Sequence, residues 1–177
     1  MKILCITGMP CAGKTTAINF LRSKFSVVSM GDAIRKEMKE KNISEDMREY
    51  STDIRKKDKC YVAKICIPEL KKIQNAEICI VDGIRNYEEI EEFGKFYDVT
   101  LIAIHASPKK RYERFVKRMR TDDNLTYEGF IRRDINELSW GLGNVIALSD
   151  LIIQNEDDDV DKFREQLITK LKIDKQK

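Results

Sequence analysis

The chain has 177 residues, enough to bury one good core and short for two, so residues 1–177 are expected to form a single domain. Its 33 Lys and Arg against 30 Asp and Glu leave a net charge of +3, too small to argue for a nucleic-acid partner by itself. No run approaches the roughly 18 apolar residues of a membrane span, and the N-terminus reads straight into a core strand. The expectation is a cytoplasmic protein without membrane association. The five cysteines, Cys5, Cys11, Cys60, Cys66 and Cys79, show no C-x-x-C spacing and read as reduced, mostly buried thiols.

In chain order, an apolar run at 3–6 leads into Gly8-Met9-Pro10-Cys11-Ala12-Gly13-Lys14-Thr15, with Thr16 and a helix-patterned stretch at 17–21 behind it. Strand, glycine loop and helix form the setting in which this pattern cradles phosphates. The two glycines let backbone N–H groups point inward at phosphate oxygens. Lys14 is placed to reach the outer phosphates and the Thr15 hydroxyl to ligate Mg²⁺. The helix N-terminus adds partial positive charge. Residues 8–16 therefore predict an ATP site with Mg²⁺; the plainer reading is a glycine turn capping a helix. Cys11 stands at that helix start, where a thiol can become reactive, although a small side chain that fits the loop is the simpler account.

A short strand at 26–30 comes next and ends in Gly31-Asp32-Ala33-Ile34-Arg35. A charged helical stretch over 32–73 reads as two or three helices. A strand at 77–81 ends in Asp82-Gly83-Ile84-Arg85, and a helix covers 87–96. The strongest strand, 99–105, carries the sole histidine, His105, which reads as a buried structural residue. Pro108 then opens a basic helix to about Arg120. On it Arg111, Arg114 and Arg118 share one stripe at i, i+3 and i+7, beside an apolar stripe of Tyr112, Phe115, Val116 and Met119. That design suits the wall of a phosphate-filled cleft; its alternative is a solvated basic face that contacts nucleic acid. Asp122-Asp123 marks a turn and a helix cap, a helix spans 127–140 with Trp140 packing inside it, and a strand covers 151–153. Glu156-Asp157-Asp158-Asp159 reads as the acidic start of a last helix over 160–171. Five strands alternating with helices predict an α/β fold, a three-layer doubly wound parallel sheet with its ligands beyond the carboxyl ends of the strands.

These strand-end segments resemble the nucleoside monophosphate kinases, above all adenylate kinase. There a Gly-Asp-x-x-Arg follows the second strand, an Asp-Gly-x-x-Arg segment follows the third, and an arginine-bearing lid follows the fourth. More closely, the chain is similar to an archaeal family related to adenylate kinase and dephospho-CoA kinase, over nearly its whole length. The resemblance implies a P-loop NTPase fold with a short helical lid at about 109–135 and an acceptor-binding helical segment at about 32–73. It implies that Arg35 and Arg85 grip the acceptor phosphate, with Asp32 beside them, and that Asp82 stands near Mg²⁺ with Thr15. Arg118 and Arg132 are the nearest counterparts of the lid arginines. The ending Ser149-Asp150-Leu151-Ile152-Ile153-Gln154-Asn155 is similar to that of dephospho-CoA kinases. Two features depart from the pattern: the span from Arg120 to Arg132 is short for a lid, and Ile84-Arg85 lacks the proline usual in adenylate kinase.

Taken together, the residues predict an ATP-dependent kinase that transfers the γ-phosphoryl group to a nucleoside monophosphate-like acceptor. Lys14, Arg85, Arg118 and Arg132 would act at the transferred group. The alternatives are a nucleotide-gated ATPase acting on RNA or a ribosomal partner, and a dephospho-CoA kinase. Oligomeric state is open.

Overall fold

The computed structural model describes residues 1–118 and 126–172. Five strands build one sheet: β1 (Lys2–Thr7), β2 (Ser26–Ser29), β3 (Ile78–Asp82), β4 (Asp98–His105) and β5 (Leu151–Gln154). Every paired neighbour is parallel, in the order β2-β3-β1-β4-β5. The central strands are near-continuous apolar runs because both faces of the sheet are covered. Alternate residues of β1 serve opposite sides. Ile3 and Cys5 pack with Met30, Ile54, Leu70 and Phe93, whereas Leu4 and Ile6 pack with Ile18, Leu21, Phe163 and Leu167. The fold is the three-layer α/β arrangement that the alternation of strands and helices predicts.

The first face is covered by α2 (Met30–Glu40), α3 (Met47–Lys57), α4 (Tyr61–Lys72), α5 (Tyr87–Gly94) and α8 (Leu142–Ala147). The second is covered by α1 (Lys14–Leu21) and α9 (Val160–Lys170). The stretch over 32–73 thus resolves into three helices, two of them opened by side-chain caps. Ser29 Oγ accepts from Asp32 N at 3.2 Å, and Asp46 Oδ1 accepts from Arg48 N at 2.7 Å. Asp159, the last of the acidic run, caps α9 through the backbone N–H groups of Asp161 and Lys162.

The other two helices, α6 (Pro108–Arg118) and α7 (Tyr127–Ser139), stand at the carboxyl end of the sheet. Thr126 Oγ1 caps α7; Met119, Arg120, Asp122 and Asp123 lie outside the described residues. Three expectations change here. His105 is exposed: it is the last residue of β4, paired with Gln154 at the end of β5, and the burial of the strand stops one residue before it. Val116 is exposed as well: the buried face of α6 carries Arg111 and Phe115, one turn apart, and Val116 turns away from it. The short helix α8 has no counterpart in the sequence pattern, and Gly141 starts it with a left-handed φ of 98°.

Candidate active site

The loop between β1 and α1 is shaped by glycine. Gly8 has φ 142° and Gly13 φ 110°, values that L side chains rarely adopt. Space enforces the same choice: a Cβ on Gly8 would lie 2.2 Å from the Ile104 carbonyl oxygen, and one on Gly13 would lie 2.1 Å from Asn155 Nδ2. Cys11 adopts φ 62° and is buried beside Phe115 and Phe130. Its side chain therefore belongs to an aromatic cluster under the loop. Lys14 Nζ donates to the carbonyl oxygens of Gly8 at 2.6 Å and Met9 at 3.0 Å. Burial pushes its ammonium down to about 8, and Arg85 adds to that push, while Glu137 and Asp82 oppose it.

Two distant side chains brace the loop from outside. Asn155, just beyond β5, donates Nδ2 to the Ala12 carbonyl at 2.9 Å. Arg111 on α6 donates Nη1 to the Pro10 carbonyl at 3.3 Å.

Next to the loop lies a cleft of about 1320 Å³. Lys14, Thr15, Asp82 and Arg85 line its sheet end, α3 forms one wall, and Arg132, Arg133 and Glu137 of α7 form another. Asp82 ends β3 and stands in register with Ile6 of β1 and Ser29 of β2. Burial raises its pKa, with Lys14 and Arg85 opposing that rise. Arg85 is held three ways. Its backbone N–H donates to Glu89 Oε2 at 2.8 Å, its Nε lies 2.9 Å from Glu137 Oε2, and its guanidinium sits 6.0 Å from the Trp140 ring. Trp140 therefore packs on an arginine at the cleft. Glu89 is a junction: it completes the capping box of α5 with Asn86 and accepts Arg55 Nε at 2.9 Å. One buried carboxylate thus orients both Arg55 and Arg85, and both line the cleft.

The remaining predicted residues divide. Arg35 lines the cleft but is exposed and pairs with Asp32, one turn earlier. Glu37 is buried and accepts from Lys41 Nζ and the Tyr61 hydroxyl. Arg132 is exposed on the cleft wall, and the side chain of Arg118 lies outside the described residues. The basic stripe does not form one phosphate-facing row. Arg111 is buried and paired with Asp134. Arg114 reaches Asn155 Oδ1 at 3.4 Å and the Asp157 carbonyl at 2.9 Å. Asp158 lies within 3.0 Å of Lys110, 3.8 Å of Arg114 and 3.6 Å of Lys117. The acidic run before α9 is therefore the counter-charge of the basic helix as well as a helix start.

A model of an AAA domain matches residues 4–136. A UPF0200 protein of Sulfurisphaera tokodaii is 47% identical over 167 residues, covering 93% of this chain and 92% of that protein. One of Pyrococcus furiosus is 42% identical over 163 residues, covering 87% and 88%. The chain belongs to the UPF0200 family. Among solved structures, the UPF0200 chain is similar to a shikimate kinase from Bacteroides thetaiotaomicron, with TM-score 0.63 at 13% identity over 97% of this chain and 98% of that one. A dephospho-CoA kinase from Campylobacter jejuni gives TM-score 0.54 at 14% identity over 97% and 96%. At such identities these likenesses establish the P-loop kinase fold and nothing narrower.

The UPF0200 loop fits a nucleotide's phosphates on its own geometry. The space that a Cβ would fill at Gly8 and Gly13 is closed by backbone and by Asn155, so only glycine fits at either place, and a glycine loop before a helix N-terminus is the kind of backbone that cradles phosphates. The oxygen donors nearest the cleft's sheet end, the Thr15 hydroxyl and the Asp82 carboxylate, are hard ligands of the kind Mg²⁺ takes. The desolvated Asp82 carboxyl is one whose charge a cation would favour. Sequence reading missed Arg55, Glu89 and Glu137. Each looks like an ordinary charged residue of an amphipathic helix, and only its distant partner sets it apart.

Proposed function

We propose that this UPF0200 chain is a MgATP-dependent kinase whose acceptor is a nucleotide-like small molecule, and that it acts in the cytoplasm. The observation that carries the reading is one cleft in which Lys14, Thr15 and Asp82 meet Arg85, with Arg35, Arg55 and Arg132 on its walls. In this reading residues 8–16 hold the donor phosphates, with Lys14 supplying charge. Thr15 and Asp82 hold Mg²⁺, which would neutralise charge on the phosphates when bound. Helices α2 to α4 form the acceptor-binding segment, and its Asp32 and Arg35, together with Arg85 beyond β3, meet the acceptor's anionic group. An arginine fork suits that contact because it binds phosphate oxygens bidentately. Helices α6 and α7 form a short lid over the cleft, and water exclusion there favours transfer over hydrolysis. The RNA-directed alternative draws little support from the basic helix, because Asp158 already faces Lys110, Arg114 and Lys117.

The test is an acceptor screen with MgATP, scoring ADP formed above the acceptor-free rate. A nucleotide-like acceptor that raises ADP formation supports the kinase. Stimulation by RNA alone, with every small acceptor silent, overturns it.

A further inference from the structure

Arg55 stands on a wall of the cleft without a part in the function above. It belongs to α3, whose Tyr50 and Ile54 pack into the core while Ser51, Thr52 and Arg55 line the cleft. Its side chain is only 6% exposed and is fixed at two nitrogens. Nε donates to Glu89 Oε1 at 2.9 Å, and Nη1 donates to Ser51 Oγ, one turn earlier. Nη2, the third nitrogen, donates to none of the described residues and is not sealed from solvent. A guanidinium is planar, so holding two corners also sets the direction of the third. Buried polar groups rarely go unpaired, and a held arginine with one open corner on a cleft calls for a ligand that accepts there.

Charge and position decide between ligands. A fixed guanidinium takes the anionic oxygens of a phosphate or carboxylate before neutral ones. Arg55 lies on the helical segment read as the acceptor side, and Glu89 couples it to Arg85. One Glu89 oxygen accepts Arg55 Nε, and the other accepts the Arg85 backbone N–H at 2.8 Å. Preorganisation then separates Arg55 from Arg35. Arg35 is 59% exposed and pairs with an exposed Asp32, so an anion has to immobilise it and compete with that carboxylate. Arg55 is already immobile. Resting on the kinase reading, we propose that Arg55 is the principal ligand of the acceptor's anionic group, that Arg35 adds less, and that Glu89 is the positioning residue that aims Arg55. Nη2 donates to an anionic oxygen of the acceptor, while Glu89 keeps Nε and Ser51 keeps Nη1. The site selects acceptors that carry an anion, because an uncharged analogue leaves the open corner unpaired.

Trp140, the single tryptophan, lines the cleft beside Arg85, so its fluorescence reports binding there. The donor site is first filled with a non-hydrolysable MgATP analogue. Adenosine monophosphate, inorganic phosphate and, as the uncharged control, adenosine are then titrated at constant ionic strength. The monophosphate is expected to bind the parent at least about tenfold tighter than adenosine. Arg55→Gln and Arg55→Lys each keep a donor for Glu89 and lose the open corner, which guards against a buried unpaired carboxylate. Each should weaken monophosphate binding about tenfold or more, with adenosine and the MgATP analogue shifted less than about threefold. Arg35→Ala should weaken the monophosphate by less than either. Parental monophosphate affinity in either Arg55 variant overturns the proposal. So does equal weakening of monophosphate and adenosine, the behaviour of an arginine that only builds the wall, or a larger loss from Arg35→Ala. A parent on which monophosphate and phosphate act no more strongly than adenosine overturns it as well. The kinase reading is judged apart, by ADP formed in the acceptor screen, and stands if an acceptor raises that rate while Arg55 proves silent.

Discussion

Arg111 and Asp134 meet fork to fork, Nη1 to Oδ1 at 2.8 Å and Nη2 to Oδ2 at 2.7 Å. Both are buried, and the same guanidinium packs 5.2 Å from the Phe130 ring and reaches the Pro10 carbonyl. The pair therefore joins α6, α7 and the phosphate loop in one unit. An arginine that a helical stripe aligns with phosphate contacts works here as the tie that sets the loop's position.

Breaking that tie on one side leaves a buried charge without its partner. Arg111→Ala or Asp134→Ala should each lower stability by about 3–5 kcal/mol, measured by denaturant unfolding. The double variant Arg111→Met with Asp134→Leu should recover much of the loss, since apolar residues of similar volume carry no desolvation cost. Single variants as stable as the parent would show that the pair is solvated and not a tie.

The sequence reveals what is local and conceals what is paired at a distance. The loop at 8–16 and the strand-end Asp82-Gly83 are legible because strand, turn and helix follow one another within a few residues. The parallel sheet is legible for the same reason, from the alternation of apolar runs and helical patterns. The arginines of α6 are not, because their partners Asp134, Asn155 and Asp158 are 20 or more positions away and look like ordinary surface residues. Glu89 reads as one more charge on a helix until Arg55 is found on it. His105 was misread because a strand's last residue shares its pattern but not its burial.

The pH response of the donor site follows from Lys14, whose ammonium is pushed down to about 8 from 10.5 chiefly by burial. Between those values the unfolded chain holds a proton that the folded chain has lost, so this group's contribution to stability rises with pH across that window. Bound phosphates favour the charged form. MgATP binding at about pH 8.5 should therefore take up a proton, and affinity should fall as pH rises through 8. Calorimetry in two buffers of different ionisation enthalpy reads the uptake directly. Lys14→Ala should abolish it, weaken MgATP binding and leave the fold intact; an unchanged proton uptake in that variant would assign the titration elsewhere.

Two glycine substitutions should behave differently for a spatial reason. Gly8→Ala drives a Cβ into the backbone carbonyl of Ile104 in β4, which cannot move without distorting the sheet. Gly13→Ala meets the end of a side chain, Asn155 Nδ2, which can swing away at the expense of its bond to Ala12. Thermal unfolding should show the larger loss for Gly8→Ala. In a double-mutant cycle Asn155→Ala should relieve part of the Gly13→Ala defect and none of the Gly8→Ala defect. No relief of the Gly13→Ala defect would mean that backbone strain, and not the Asn155 side chain, sets its cost.

Arg85 tests how the cleft is divided between donor and acceptor. A charge-assisted bidentate contact is worth roughly 1.5–3 kcal/mol, or about ten- to a hundredfold in binding. Arg85→Ala should therefore raise the acceptor KM or lower kcat by that factor and leave MgATP affinity near its parent value. Arg85→Lys should restore only part, because an ammonium keeps the charge and loses the fork. A second signature follows from the donor side. Arg85 helps to push the Lys14 ammonium down, so its removal lets Lys14 stay protonated to higher pH. Proton uptake on MgATP binding at about pH 8.5 should then shrink in Arg85→Ala, even though the substitution lies outside the phosphate loop. Acceptor kinetics beside calorimetry with a non-hydrolysable ATP analogue measures both effects on the same protein. Loss of ATP binding with acceptor binding retained would mean that Arg85 serves the donor, and that the two sides of the cleft are assigned the wrong way round.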